Sequence, residues 1–192
     1  MEVAIIKYNG GNTRSVQYAL ERLGVTAIIT NDTEQIRKAD KVIFPGVGEA
    51  GSAMQFLKEH SLDVVIQSLT QPVLGICLGM QLMCKSSEES NTNCLGIFDA
   101  PVMRFRGEKV PHMGWNTVSN TNHSVLLKNI TDPYFYFVHS FYVPVVKDTV
   151  ATTFYGSSFS SIMQKDNFYG VQFHPEKSAE AGSILIQNFL NL

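Results

Sequence analysis

Hydrophobic and polar positions follow two different rhythms along this chain. Up to about residue 90, short uninterrupted apolar runs are separated by stretches with helical spacing. Val3-Ala4-Ile5-Ile6, Thr26-Ala27-Ile28-Ile29, Lys41-Val42-Ile43-Phe44 and Val73-Leu74-Gly75-Ile76 predict four strands. Between them, residues 15–23 place apolar side chains at helical intervals and meet Gly24, a helix stop. Residues 33–38 predict a short helix, and residues 50–69 one helix or two. Strands that are apolar throughout and alternate with helices imply a parallel sheet covered on both faces. The predicted fold class is therefore α/β, a mostly parallel central sheet flanked by helices.

Beyond about residue 91 the rhythm shortens. Residues 99–106, 135–141, 149–154, 159–164 and 168–173 predict aromatic-rich strands, and an added antiparallel layer follows from them. Residues 181–190 predict a closing helix that buries Ile184, Leu185, Phe189 and Leu190. No repeat or long linker interrupts the pattern, so residues 1–192 are expected to form one domain.

Composition narrows the classes of function. The chain is 44% hydrophobic and 17% charged, with a formal net charge of −2, which gives no electrostatic reason to bind nucleic acid or an anionic membrane. No apolar run approaches the ~20 residues that span a bilayer, and the first residues turn polar too soon for a signal peptide. Cys77, Cys84 and Cys94 form neither an even set nor a C-x-x-C pair, so a disulfide framework and a metal site are not expected. The cytoplasm is the expected compartment, and no cofactor is implied.

The candidate chemistry sits at predicted strand ends, where open α/β sheets bind ligands. Gly75-Ile76-Cys77-Leu78-Gly79 joins the fourth strand to a helix over residues 78–84. Such a turn can expose a nucleophile, as in the G-x-S-x-G elbow, or can simply bury a structural cysteine. A thiol titrates at about 8.5 and needs a base to attack a carbonyl carbon at neutral pH. His174-Pro175-Glu176 offers a base and a carboxylate two residues apart, which share one side of an extended segment. Pro45-Gly46-Val47-Gly48 ends the third strand; it reads as a plain turn or as backbone donors for an oxyanion. Asn9-Gly10-Gly11-Asn12 reads as a turn and helix cap.

Taken together, the G-I-C-L-G-M-Q elbow, P-G-V-G and H-P-E resemble the class I, triad-type glutamine amidotransferases, over essentially the whole chain and in the family's order. The resemblance implies a Cys77-His174-Glu176 triad acting on L-glutamine. It implies an oxyanion hole from the N–H groups of Val47 and Leu78, the former after a peptide flip. It implies glutamine contacts from Gly46, Gly48, Gln81, His139, Ser140 and Phe141. Pro111-His112-Met113-Gly114-Trp115-Asn116 resembles the branch that feeds ammonia to a separate (β/α)8-barrel cyclase in histidine biosynthesis. A heterodimer is then expected, docked through His112, Met113, Trp115, Asn116, Tyr136 and Lys177. Lys7 and Phe141 depart from the residues usual in that branch. The competing readings are a paralogous glutaminase serving another synthase, such as a surface-sugar amination enzyme, a non-catalytic binding protein on the same scaffold, and a cysteine peptidase relative.

Overall fold

The structure, a computed structural model, describes residues 1–192 with the exception of the Asn120 side chain. The first half of the chain runs β1 (Val3–Ile6), α1 (Thr13–Arg22), β2 (Ala27–Thr30), α2 (Thr33–Lys38), β3 (Lys41–Gly46), α3 (Ala50–Glu59), α4 (Leu62–Gln67), β4 (Val73–Cys77) and α5 (Leu78–Leu82). Local chemistry sets several of these boundaries. The Asp32 carboxylate accepts the N–H groups of Glu34 and Gln35, both at 2.9 Å, and starts α2. Glu49 does the same for α3, accepting from Gly51 and Ser52. Gly24, with φ +75°, ends the turn after α1. Asn12 precedes α1 but caps no backbone N–H; its side-chain oxygen accepts the Ser15 hydroxyl at 2.6 Å instead. Helix α5 is also shorter than the expected span to residue 84, although Cys84 still donates its N–H to Gln81.

The second half is richer in strands: β5 (Ser86–Ser87), β6 (Thr92–Asn93), β7 (Pro101–Arg104), β8 (His112–Thr117), β9 (Ser119–Asn120), β10 (Tyr134–His139), β11 (Phe141–Tyr142), β12 (Thr149–Tyr155), β13 (Ser157–Lys165) and β14 (Phe168–Val171), then α6 (Ala179–Leu190). The eight-stranded central sheet has the order β2-β1-β3-β4-β14-β13-β12-β9. Its first five strands run parallel, and β13, β12 and β9 continue it antiparallel. The expected antiparallel layer is thus divided. Part of it extends the central sheet, and the rest forms two small sheets, β10-β8 and β11-β7-β5-β6. Strand β8 falls on the Pro111–Asn116 motif, where polar residues and Gly114 hide the strand pattern in the sequence.

The core confirms a sheet covered on both sides. Along β1, Ala4 and Ile6 pack into one apolar cluster with Phe44, Leu57 and Ile66. Val3 and Ile5 point into the other, with Leu20, Phe173 and Phe189. That alternation is the period-two geometry of a strand buried on both faces. Among the described residues, no helix is long and apolar enough to cross a membrane.

Candidate active site

Strands β3 and β4 end side by side, with Gly46 opposite Cys77. Cys77 is the hinge between β4 and α5 and has φ 53° and ψ −109°, a conformation that costs a non-glycine residue about 1–3 kcal/mol. The surrounding packing holds it there. A Cβ on Gly79 would collide with the Phe44 carbonyl, and one on Gly75 would press on the Met80 nitrogen and the Met83 methyl. Neither glycine has a positive φ; both are there for close approach of helix to sheet. The turn presents the sulfur at the strand end, 3.9 Å from the Val138 carbonyl. Cys84 and Cys94 lack this setting. Burial pushes the Cys84 thiol up, and it holds Cys94 at about 11.

His174 follows β14, the neighbour of β4, which brings it to the same sheet end as Cys77. Its N–H donates to the Tyr136 carbonyl at 2.9 Å, tying it to β10. The residue itself is extended, but Pro175–Lys177 forms a single 3₁₀ turn. The turn, rather than a continuous strand, swings Glu176 back beneath the ring. His174 Nδ1 lies 2.9 Å from Glu176 Oε1, with both side chains 1% exposed. His174 Nε2 is buried and, among the described residues, makes no hydrogen bond to nitrogen or oxygen, which leaves it facing the Cys77 sulfur. Burial alone would lower the pKa of this imidazole. The charge of Cys77, hydrogen bonding toward its sulfur and the Glu176 carboxylate outweigh burial and raise it, to about 10. A ring whose Nδ1 is held by a carboxylate and whose Nε2 is free toward a sulfur can carry a proton to and from that sulfur.

A cavity of about 290 Å³ opens on the sulfur. Cys77, Leu78, Val47, Gly48 and Gln81 line it from the β3 and β4 ends. His139, Ser140 and Phe141 line it from the junction of β10 and β11, so every expected glutamine contact except Gly46 reaches one cleft. Gly46 lies just behind, where a Cβ would run into the Tyr8 hydroxyl and Leu78. The Val47 carbonyl accepts the Gly11 N–H at 3.0 Å, which pins the P-G-V-G segment to the loop after β1. Three lining residues had no expected role: Glu89, Pro111 and Val138. Glu89 also accepts the Ala50 N–H at 2.8 Å; burial raises its pKa against that hydrogen bond. Only its acidic type in a glutamine-sized cleft could have marked it, and in the sequence it sits in an ordinary polar run.

The residues expected to dock a partner divide between two faces of β8. Met113 is 62% and Trp115 43% exposed. Trp115 stacks on exposed Tyr134 at 5.7 Å and meets the half-buried Tyr136 edge-on. Lys177 is exposed at the end of the Pro175–Lys177 turn. His112 faces the other way. It is buried between the Phe137 and Tyr155 rings and lies 2.9 Å from His139, so it sits behind the cleft wall and not on the surface. Asn116, half-buried, follows it and contacts His112 Nε2 at 3.3 Å. Burial lowers both imidazoles, His112 to about 4 and His139 to about 3, so both are neutral near pH 7.

Known proteins give this arrangement a family. Residues 4–192 match the model of glutamine amidotransferase class-I. Imidazole glycerol phosphate synthase subunit HisH of Bacteroides fragilis (strain YCH46) is 61% identical over 100% of both chains. The proteins of that name from Bacteroides thetaiotaomicron and Yersinia pseudotuberculosis serotype I are 58% and 47% identical, again over 100% of each chain. Among solved structures, a glutamine amidotransferase superposes with a TM-score of 0.78 at 18% identity, covering 98% of this chain and 97% of its own. PurLQS from Thermotoga maritima gives 0.74 at 17% identity, over 99% and 97%. Those two likenesses speak for the fold, and the sequence relatives speak for the branch: the chain belongs to the class-I glutamine amidotransferases, among the HisH subunits of imidazole glycerol phosphate synthase.

Proposed function

We propose that this chain hydrolyses L-glutamine through Cys77, His174 and Glu176 and passes the ammonia to a separate (β/α)8-barrel cyclase, in the step of histidine biosynthesis that makes imidazole glycerol phosphate. One observation carries the reading: a buried imidazole held through Nδ1 by a carboxylate, its other nitrogen turned toward a sulfur on a strained turn at the same sheet end.

In this reading the Cys77 thiolate adds to the side-chain amide carbon of glutamine. The carbonyl electron pair moves to oxygen, and the N–H groups of Leu78 and Val47 receive the oxyanion. The Val47 N–H turns inward when the Gly46–Val47 peptide flips, while the Gly11 N–H can keep its hold on the Val47 carbonyl, which belongs to the next peptide unit. The C–N bond breaks as His174 Nε2–H protonates the nitrogen, releasing ammonia and leaving a glutamyl thioester. Water, deprotonated by His174, then cleaves the thioester to glutamate and restores the sulfur. Glu176 keeps Nδ1 protonated throughout. The Glu89 carboxylate in the same cleft suits the α-ammonium of the substrate. Gln81 uses both N–H bonds inside the protein, so it meets glutamine through its oxygen.

Met113, Trp115, Tyr134, Tyr136 and Lys177 form the docking face. An exposed tryptophan flanked by a methionine and tyrosines matches the composition of binding hot spots. The names of the relatives favour histidine biosynthesis over a sugar-amination partner. The test is Cys77→Ala in the assembled synthase. Synthesis from glutamine is lost, and synthesis from added ammonium salt continues. Retained glutamine-dependent synthesis overturns the assignment.

A further inference from the structure

Gln172 directly follows β14 and is fully buried two residues before His174. Its Nε2 lies 3.7 Å from the Cys77 sulfur, a normal N–H···S distance, and its Oε1 lies 2.9 Å from Gln81 Nε2. The direction of these bonds is forced. The Phe141 carbonyl can only accept, and two groups converge on it: Gln81 Nε2 at 2.9 Å and His139 Nδ1 at 2.7 Å. Gln81 therefore turns its NH₂ that way, and the second hydrogen of this NH₂ goes to Gln172 Oε1. Gln172 is left with its own NH₂ toward the sulfur. On the other branch, His139 carries its proton on Nδ1, so Nε2 accepts from His112 Nδ1. His112 Nε2 in turn accepts from Asn116 on the strand that carries Met113 and Trp115. No link can reverse without leaving two donors or two acceptors face to face in a buried site.

We propose that Gln172 is the positioning residue for the nucleophile: its amide N–H, oriented by the Gln81–Phe141–His139–His112 chain, holds the Cys77 sulfur on the imidazole side and stabilises it as thiolate. The inference rests on Cys77 being the nucleophile. It assigns a purpose to a buried amide that does not line the cleft. A donor to a buried anion is worth about one pH unit in the anion's titration.

The test is the pH dependence of iodoacetamide alkylation at Cys77, mapped by peptide mass, in the native chain, Gln172→Met and Gln172→Asn. Methionine keeps the length without a donor. Asparagine keeps the donor but withdraws it by one methylene. In both variants the alkylation midpoint moves up by about one pH unit, and kcat for glutamine falls roughly tenfold with KM unchanged. Thermal denaturation identifies any variant that fails to fold, and the other then decides. A folded variant of either kind that keeps the native midpoint and kcat overturns the proposal. A native chain in which Cys77 resists alkylation at every pH while Cys94 reacts overturns the nucleophile assignment, and this proposal with it.

Discussion

Replacing Glu176 with glutamine separates the charge of the proposed triad carboxylate from its shape. The side chain is 1% exposed and its Oε1 lies 2.9 Å from His174 Nδ1. A glutamine oxygen can still accept that N–H, so the ring keeps its place, and the Oε2 position has no partner to lose. The negative charge that stabilises the imidazolium during proton transfer is gone. A hydrogen bond to a charged group contributes about 1.5–3 kcal/mol, of which the neutral replacement retains a part. The part lost is about 1–2 kcal/mol, and with each 1.36 kcal/mol tenfold in rate, kcat for glutamine falls by roughly 5- to 30-fold. The KM for glutamine stays close to the native value, because Glu176 does not line the cleft. The assay is glutamate release by the assembled synthase under saturating acceptor, alongside synthesis from ammonium salt as a control on partner integrity. A kcat within twofold of native would refute the role of the carboxylate. A loss confined to KM would place Glu176 in substrate binding and would equally contradict this account.

Other expectations follow from the same geometry. Gly79→Ala drives a methyl into the Phe44 carbonyl and destabilises the fold by about 1–3 kcal/mol, read as a lower midpoint in urea denaturation; an unchanged midpoint would mean that α5 slides freely on β3. His174 has a raised pKa in the folded state, so its contribution to stability is fully present below about 6.5 and is lost as pH rises toward about 10. Urea titrations between those values should show falling stability in the native chain and a flatter profile in His174→Asn; identical slopes would count against the assignment. Trp115→Ala on the exposed face weakens binding of the barrel subunit by about 2 kcal/mol or more, measured by calorimetry, with little change in the melting temperature of the isolated chain. Native affinity would remove Trp115 from the interface.

Local order left its mark on the residues themselves. The all-apolar runs at β1, β3 and β4 can be buried only on both faces, so the parallel sheet and its strand ends could be read directly, and with them the location of Cys77, Val47 and Gly48. The H-P-E and elbow motifs were legible for a similar reason: each is short and contiguous, and together they carry the family resemblance that implies the proposed triad. What the linear order could not hold was anything set by packing between distant segments. His112 looked like part of a docking motif, yet strand alternation turns it inward while Met113 and Trp115 face out, and only the pairing of β8 with β10 decides which side is which. Glu176 reaches the imidazole through a 3₁₀ turn that no pattern of hydrophobicity encodes. Glu89 and Gln172 are 83 residues apart in a chain of 192, each an ordinary polar residue in its own neighbourhood. They gain meaning only where the fold leaves a carboxylate in the wall of a cleft and an amide against a sulfur, because burial fixes which way a hydrogen bond must point.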